Sequence, residues 1–495
     1  MPSTTTHTDP PVCPLYVDLD GTLTPTDTLY ESVLLFVRRN PLNLLRLLWW
    51  LGLGKAGFKQ RLAEAVRPQP DRLPYHEAFL QYLRAEHVRG RPLILASAAD
   101  ARIVQEVAAH LKLFDDCLGT QAAGGGPNLS RAHKRAAIEA HARASGHTAW
   151  AYAGNSRDDL LVWPGSAQAV VVNAPPAVLA AVRREHPQAL VFERQRLRPR
   201  TVLKAIRITQ WAKNALLFVP LLAAHSLVPQ AWIAVATAFV AFGLCASATY
   251  LFNDLMDLPN DRVHRLKRHR PLASAALSIP AGVLLGAGML ALALVLALAV
   301  SAGFTAMLVL YTALTLNYSL WLKRLPLFDV LLLSALYTLR IGSGAVAAEV
   351  ELSSWLLAIS IFLFLSLALI KRCAELEELV EEQDSAAPGR GYHPSDLPVL
   401  RGMGVSSGFL AVLVLTLYID SQNGKALYAE PLWLWAAAPV ALLWIMRIWF
   451  KTARRELHGE DPLQFALKDP FSWATVAIMA ALGAIATRGL PFWTP

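Results

Sequence analysis

Residues 246–270 read ASATYLFNDLMDLPNDRVHRLKRHR. An apolar run of helical length ends at Asn253, and three acids follow, Asp254, Asp257 and Asp261, spaced so that one helix face carries all three. Arg262, Arg265, Lys267, Arg268 and Arg270 come next. Carboxylates gathered where an apolar segment meets water repel one another unless a cation binds. A magnesium ion shared between a few carboxylates and diphosphate oxygens meets that need. Asn253, Asp254, Asp257 and Asp261 are therefore candidate metal ligands, and Lys267 and Arg270 are candidate phosphate ligands.

Working outward, nine apolar segments are long enough to cross a bilayer, over 206–227, 230–252, 280–301, 303–322, 328–348, 353–371, 404–420, 431–450 and 471–490. The first is interrupted by Arg207, Lys213 and Pro220. Loop charge tests this count. Alternate loops hold Arg262 to Arg270; then Lys323 and Arg324; then Lys371, Arg372, Arg390 and Arg401; then Arg447, Lys451, Arg454, Arg455 and Lys468. The opposite loops hold Lys425 as their one Lys or Arg. The positive-inside rule then puts the basic loops and the N-terminal part in the cytoplasm, in a plasma (bacterial inner) membrane protein whose C-terminus is outside.

Composition agrees. Hydrophobic residues are 54% and charged residues 17% of 495, against about 45–50% and about 25% in soluble proteins. This excludes a disordered chain, and four cysteines exclude a disulfide scaffold. The net charge of +9 is explained by the loops, not by nucleic-acid binding. No secretory signal is read at Met1–Pro14.

Residues 1–195 read differently, as soluble α/β. Leu15–Asp18, Pro92–Ala96, Trp150–Ala153 and Ala169–Val172 are short strands separated by helical stretches such as Ala101–Leu111. That alternation predicts a doubly wound parallel sheet with ligands beyond the strands' carboxyl ends. The run Leu42–Leu53 is too short to span. It is either an amphipathic helix on the membrane surface, with Trp49 and Trp50 at headgroup level, or a buried helix of a cap.

The first strand runs into Asp18-Leu19-Asp20-Gly21-Thr22. Two carboxylates so placed can divide labour, one attacking phosphorus and the other moving the proton. Ser97 ends a strand where a hydroxyl can bind a phosphoryl oxygen, Lys134 can neutralise a phosphoaspartate, and Gly154-Asn155-Ser156-Arg157-Asp158-Asp159 offers acid to magnesium.

This order resembles the haloacid dehalogenase (HAD) phosphatases. The resemblance implies Asp18 as nucleophile, Asp20 as general acid and base, and Thr22, Ser97, Lys134 and Asn155 at the phosphate. It also implies Mg²⁺ held by Asp18, Asp20 and Asp159, and a helical cap over about 25–90. Asn155 stands where that family usually has an acid.

Residues 196–495, with nine spans and the acidic motif, look like the UbiA superfamily of intramembrane transferases, an all-α bundle that binds a diphosphate through magnesium. The family's second acidic motif is replaced by Lys371-Arg372-Cys373-Ala374-Glu375-Leu376-Glu377-Glu378, where Glu375 or Glu378 would supply the acids. Gln210-Trp211-Ala212-Lys213-Asn214, Lys371-Arg372 with Glu375, and Arg390-Gly391-Tyr392 are similar to the polyprenyl-phosphate phosphoribosyltransferase branch. That likeness implies phosphoribosyl pyrophosphate (PRPP) as donor and a polyprenyl phosphate as acceptor. It implies substrate contacts at Lys213, Asn214, Lys267, Arg270, Lys323, Arg340, Lys371, Arg372 and Glu375, with Tyr318 and Asp329 as further candidates. The alternative is a prenyltransferase with an aromatic acceptor and a phosphatase of unrelated substrate. Asp461 and Asp469 read as structural caps.

Overall fold

The structure, a computed structural model, describes residues 13–121, 128–193, 198–381, 391–457 and 462–488. Arg390, Asp461 and the side chain of Glu378 lie outside the described residues. By packing, the chain divides into two units that interleave in sequence. One comprises the residues up to Arg207 together with Tyr250–Gly286, and the other comprises Ile208–Thr249 and Ala287 onward.

In the first unit, six parallel strands lie in the order β3-β2-β1-β4-β5-β6. They are β1 (Leu15–Val17), β2 (Leu93–Asp100), β3 (Asp116–Thr120), β4 (Ala151–Gly154), β5 (Gln168–Val172) and β6 (Leu190–Phe192). Side chains alternate across the pleat. Leu15, Val17, Leu93, Leu95, Ala151 and Ala153 enter one core, and Tyr16, Ile94, Ala96 and Tyr152 enter the other. Burial on both faces is why these strands read as continuous apolar runs. The edge strands β3 and β6 escape the sequence reading because they are largely unburied and so lack a continuous apolar run.

The insertion after β1 is a helical cap: α1 (Thr28–Arg39), α2 (Asn43–Leu51), α3 (Gly54–Ala65) and α4 (Glu77–Val88). α5 (Ala101–Leu111) packs on the same face of the sheet as Leu15 and Val17, and α6 (Arg131–Ala144) and α7 (Pro176–Glu185) pack on the face of Tyr16 and Tyr152. The expected helix over Ala101–Leu111 matches α5.

Among the described residues eight helices, not nine, are long and apolar enough to cross a membrane: Pro229–Met256, Ile279–Val300, Ala302–Leu320, Phe328–Ala348, Ser354–Glu377, Pro394–Asp420, Pro431–Ala453 and Pro470–Arg488. They make this an integral membrane protein. The ninth expected span, 206–227, is broken. α8 (Pro199–Ile206) ends at Arg207 in a left-handed conformation (φ 51°), a 3₁₀ stretch follows over Ile208–Phe218, and α9 (Val219–Ala223) carries Pro220 in its first turn. The basic loops still alternate with the remaining eight helices.

Within the second unit the helix Phe328–Ala348 is largely buried. It closes tightly on the 3₁₀ stretch: a Cβ at Gly344 would lie 2.0 Å from the Leu217 carbonyl oxygen. Only glycine permits that approach.

Candidate functional sites

The phosphatase-like site forms where β1, β2 and β4 end together. Val17 pairs with Leu95 and Ala153, so Asp18 and Ser97 emerge from neighbouring strands. Gly21 turns the chain with φ +76°. A Cβ there would meet Asn155 Nδ2 at 2.0 Å, so the fourth motif is packed directly against the first.

Lys134 Nζ lies 2.9 Å from Asp18 Oδ1 and 3.4 Å from Asp159 Oδ1, and donates to Tyr152 Oη at 3.0 Å. Burial by itself would lower the lysine's pKa, but the Asp18 and Asp159 charges more than offset it and raise it. Burial pushes the Asp18 carboxyl up to about 6 against the pull of Lys134. Burial, with the neighbouring Asp27 charge, pushes Asp20 up to about 7. An acid near neutrality can both give and take a proton. Asp20 is also oriented, its Oδ1 accepting from Thr28 N at 2.8 Å at the start of α1.

Asp159 Oδ1 accepts from Tyr152 Oη at 2.5 Å and from Lys134. Its Oδ2 accepts from Asn155 N, Ser156 N and Ser156 Oγ at 3.1, 2.9 and 2.8 Å. A carboxylate so held positions Lys134 beside Asp18. Among the described residues no group of three or more His, Cys, Asp or Glu gathers as a metal cluster. The oxygen donors that do fit a hard cation are Asp18, Asp20 and the Asn155 amide. The Thr22 hydroxyl is buried with no hydrogen-bond partner among the described residues. Ser97 is fully buried and accepts from Ala99 N at 3.1 Å.

The cap adds a residue that sequence reading missed. Lys59 of α3 donates to Ala98 O at 2.7 Å and Asn128 Oδ1 at 3.2 Å. Burial lowers its pKa, opposed by the nearby Asp20 charge. Nothing local marks this lysine, because only the folding back of the cap brings it to the strand ends.

The acidic motif does not stay on one helix. α10 (Pro229–Met256) ends before Asp257, which stands at the N-cap position of α11 (Leu258–Val263), with Pro259 in the first turn. Asp254 and Asp261 are both buried and meet through Arg270, which lies 3.1 Å from Asp254 Oδ1 and 2.7 Å from Asp261 Oδ2. Arg207 reaches the same Asp254 oxygen at 2.5 Å and lies over the Tyr250 ring, 4.9 Å from its centroid. Two of the three expected carboxylates, Asp254 and Asp261, are thus held by two arginines, and Asp257 stands at the turn between them. Magnesium commonly binds through one or two carboxylates plus substrate phosphates, and this pair fits that mode. Asn253 is half-buried on α10, and Lys267 is exposed in the 3₁₀ turn Lys267–His269. Arg207 was missed because it lies far away in sequence.

In the second unit two expected phosphate ligands are taken up by the protein itself. Arg340 is buried, donating to Asn214 Oδ1 at 3.1 Å, Leu336 O at 3.0 Å and Tyr311 Oη at 2.7 Å. It stacks over the Tyr311 and Tyr337 rings at 4.8 and 5.2 Å. Arg372 is 1% exposed, ion-paired with Asp329 at 2.7 Å and also with Glu375. Tyr392 donates to Asp329 at 2.5 Å. Arg340 and Arg372 thus tie neighbouring elements together, Arg340 through Asn214 and Tyr311 and Arg372 through Asp329, while Glu375 pairs with Arg372 on the same helix. Lys213 is buried with its Nζ 5.8 Å from the Tyr337 centroid. Lys323 and Lys371 are half-buried.

Residues 215–468 match the UbiA prenyltransferase family, and residues 15–162 match haloacid dehalogenase-like hydrolase. The chain is 35% identical to Uncharacterized protein y4nM of Sinorhizobium fredii, over 94% of this chain and 90% of that protein. It is 36% identical to Nodulation protein NoeC of Azorhizobium caulinodans, over 58% of this chain and 92% of that one. It is 34% identical to a decaprenyl-phosphate phosphoribosyltransferase of Mycobacterium tuberculosis, over 45% of this chain and 75% of that one.

Proposed function

Because this chain belongs to the UbiA prenyltransferase family, we propose that its membrane domain transfers 5-phosphoribose from PRPP to a polyprenyl phosphate, and that its haloacid dehalogenase-like domain then removes the 5-phosphate. In the first step an oxygen of the lipid phosphate bonds to the anomeric carbon, the bond from that carbon to diphosphate breaks, and diphosphate leaves. Asp254 and Asp261, with Asn253 and Asp257 beside them, would hold Mg²⁺ brought in with the diphosphate. The ion would supply charge neutralisation for the leaving group. Arg207 and Arg270 neutralise the two carboxylates before the donor arrives and turn to its phosphates when it binds. Lys267 is the further cation for the donor.

In the second step Asp18 attacks phosphorus, the bond to the ribose 5-oxygen breaks, and Asp20 gives that oxygen its proton. Asp20 then takes a proton from the water that attacks the aspartyl phosphate, and inorganic phosphate leaves. Lys134 balances the phosphoryl charge, while Ser97 and Thr22 offer hydroxyls to its oxygens. Mg²⁺ at Asp18, the Asp20 carbonyl and Asn155 would neutralise phosphate oxygens. The loop charges support a cytoplasmic location for the acidic site, and the Glu31–Arg262 pair, which ties the phosphatase cap to the basic link, supports the same side for the other.

The likeness to a decaprenyl-phosphate phosphoribosyltransferase is the observation that carries the choice of substrates. The test is mass spectrometry of the lipid made from PRPP and polyprenyl phosphate by wild type and by Asp18→Asn. The expected result is a ribosyl lipid from wild type and a product heavier by one phosphate from the variant. Turnover only of a prenyl diphosphate with an aromatic acid would overturn the first step. A phosphorylated product from wild type would overturn the second.

A further inference from the structure

The cap helix α2 is unlike the other elements around the phosphatase-like site. Only Asn43 and Leu47 along it are buried. Leu42, Leu44, Leu45, Leu48 and Leu51 are each at least 55% exposed, and Trp49 is 74% exposed. Its inner side is satisfied: Asn43 donates to Phe36 O at 2.9 Å, and Trp50 stacks on Phe36 at 5.0 Å. The reading as a buried cap helix therefore fails, and an apolar face this large needs a covering.

Charge indicates what covers it. Between Glu31 and Glu64 the chain carries no acid, while Arg38, Arg39, Arg46 and Lys55 are exposed around the face. At nine residues the helix is about 14 Å long and cannot span a bilayer, but leucine and tryptophan with a cationic border suit the headgroup–acyl boundary. The chain also brings α2 to such a surface. Glu31 on α1 is bound by both terminal nitrogens of Arg262, at 2.6 and 3.0 Å. Arg262 lies in the short link between the spans Pro229–Met256 and Ile279–Val300, a link confined to the membrane face. From Glu31 to the end of α1 is about 12 Å of helix, and α2 follows after three residues.

We propose that α2 is an interfacial helix that docks the phosphatase cap onto an anionic lipid surface, at the leaflet faced by the 257–278 link. The leucines and Trp49 enter the acyl boundary, and Arg38, Arg39, Arg46 and Lys55 meet the headgroup phosphates. This holds whatever substrates the two sites take.

The test uses the full chain in nanodiscs, with Cys13 and Cys117 replaced by serine. An NBD fluorophore is placed at Leu48→Cys or, as a control on the exposed side of α4, at Gln81→Cys. In phosphatidylcholine discs containing phosphatidylglycerol, the probe at 48 is expected to shift to the blue and to lose most of its emission to doxyl lipids. The probe at 81 is expected to behave as in water. Water-like, unquenched emission at 48 overturns the proposal. So does a blue shift without doxyl quenching, which would mean that protein, such as a second copy, covers the face. Hydrogen exchange on the unmodified chain gives a second measure. Slower exchange of residues 42–53 in anionic discs than in detergent supports the proposal, and equal exchange overturns it.

Discussion

Breaking the Glu31–Arg262 bridge should loosen the cap by a measurable amount. The two side chains are 3% and 7% exposed. Glu31 is otherwise bonded by the Thr26 hydroxyl at 2.7 Å, and Arg262 by the Arg72 and Ala273 carbonyls at 3.2 and 3.3 Å. Solvent screening is slight at this burial, so either Glu31→Gln or Arg262→Met leaves a buried polar group without its counter-charge. Removing one partner of a buried pair costs about 3–5 kcal/mol. At about 1.4 kcal/mol per decade this is about two to three and a half decades. The assay is native-state hydrogen exchange of α1, read as the fall in protection of its amides. The double variant Glu31→Leu/Arg262→Met should lose less than either single one, because replacing a whole buried pair by apolar groups is often close to neutral. Single variants within about 0.5 kcal/mol of wild type, the range of exposed pairs, would refute the reasoning. So would losses that simply add in the double variant.

Gly21→Ala forces a side chain into a left-handed backbone at a cost of about 1–2 kcal/mol and into Asn155. Phosphate release, followed colorimetrically, should fall to background while diphosphate release continues. Arg270→Gln removes the cation shared by Asp254 and Asp261, and should lower diphosphate release at least about tenfold, the scale of one lost charge-assisted contact of about 1.5–3 kcal/mol. Arg372→Met strands Asp329, which is fully buried. A loss of about 3–5 kcal/mol should appear as a lower unfolding temperature in detergent. A wild-type melting curve would show that the pair is not needed for stability.

How much was legible depended on whether a residue's role is local. β1, β2, β4 and β5 were legible because both their faces are buried, and Asp18, Asp20 and Lys134 because strand ends and a helix carry them in a fixed order. The spans were legible from apolarity, except 206–227, where Arg207 and Pro220 break the helix that mean hydropathy would allow. Asp159 was seen as an acid, but the sequence does not tell that five donors occupy it. Arg372 was seen as a cation, but its partner Asp329 lies 43 positions earlier. Lys59 and Arg207 were missed because their partners are reached only after the cap folds back and α10 returns.

By itself the sequence determined the two-part architecture and the families it resembles, since periodicity, apolarity and short acidic motifs are properties of neighbouring residues. Only the tertiary structure decided which charges remain for chemistry and which are consumed. In a low-dielectric interior a charge keeps only the company that packing brings to it. Thus Arg340 and Arg372 became internal partners, Arg207 and Arg270 closed on Asp254 and Asp261, and the leucines of α2 were left facing outward.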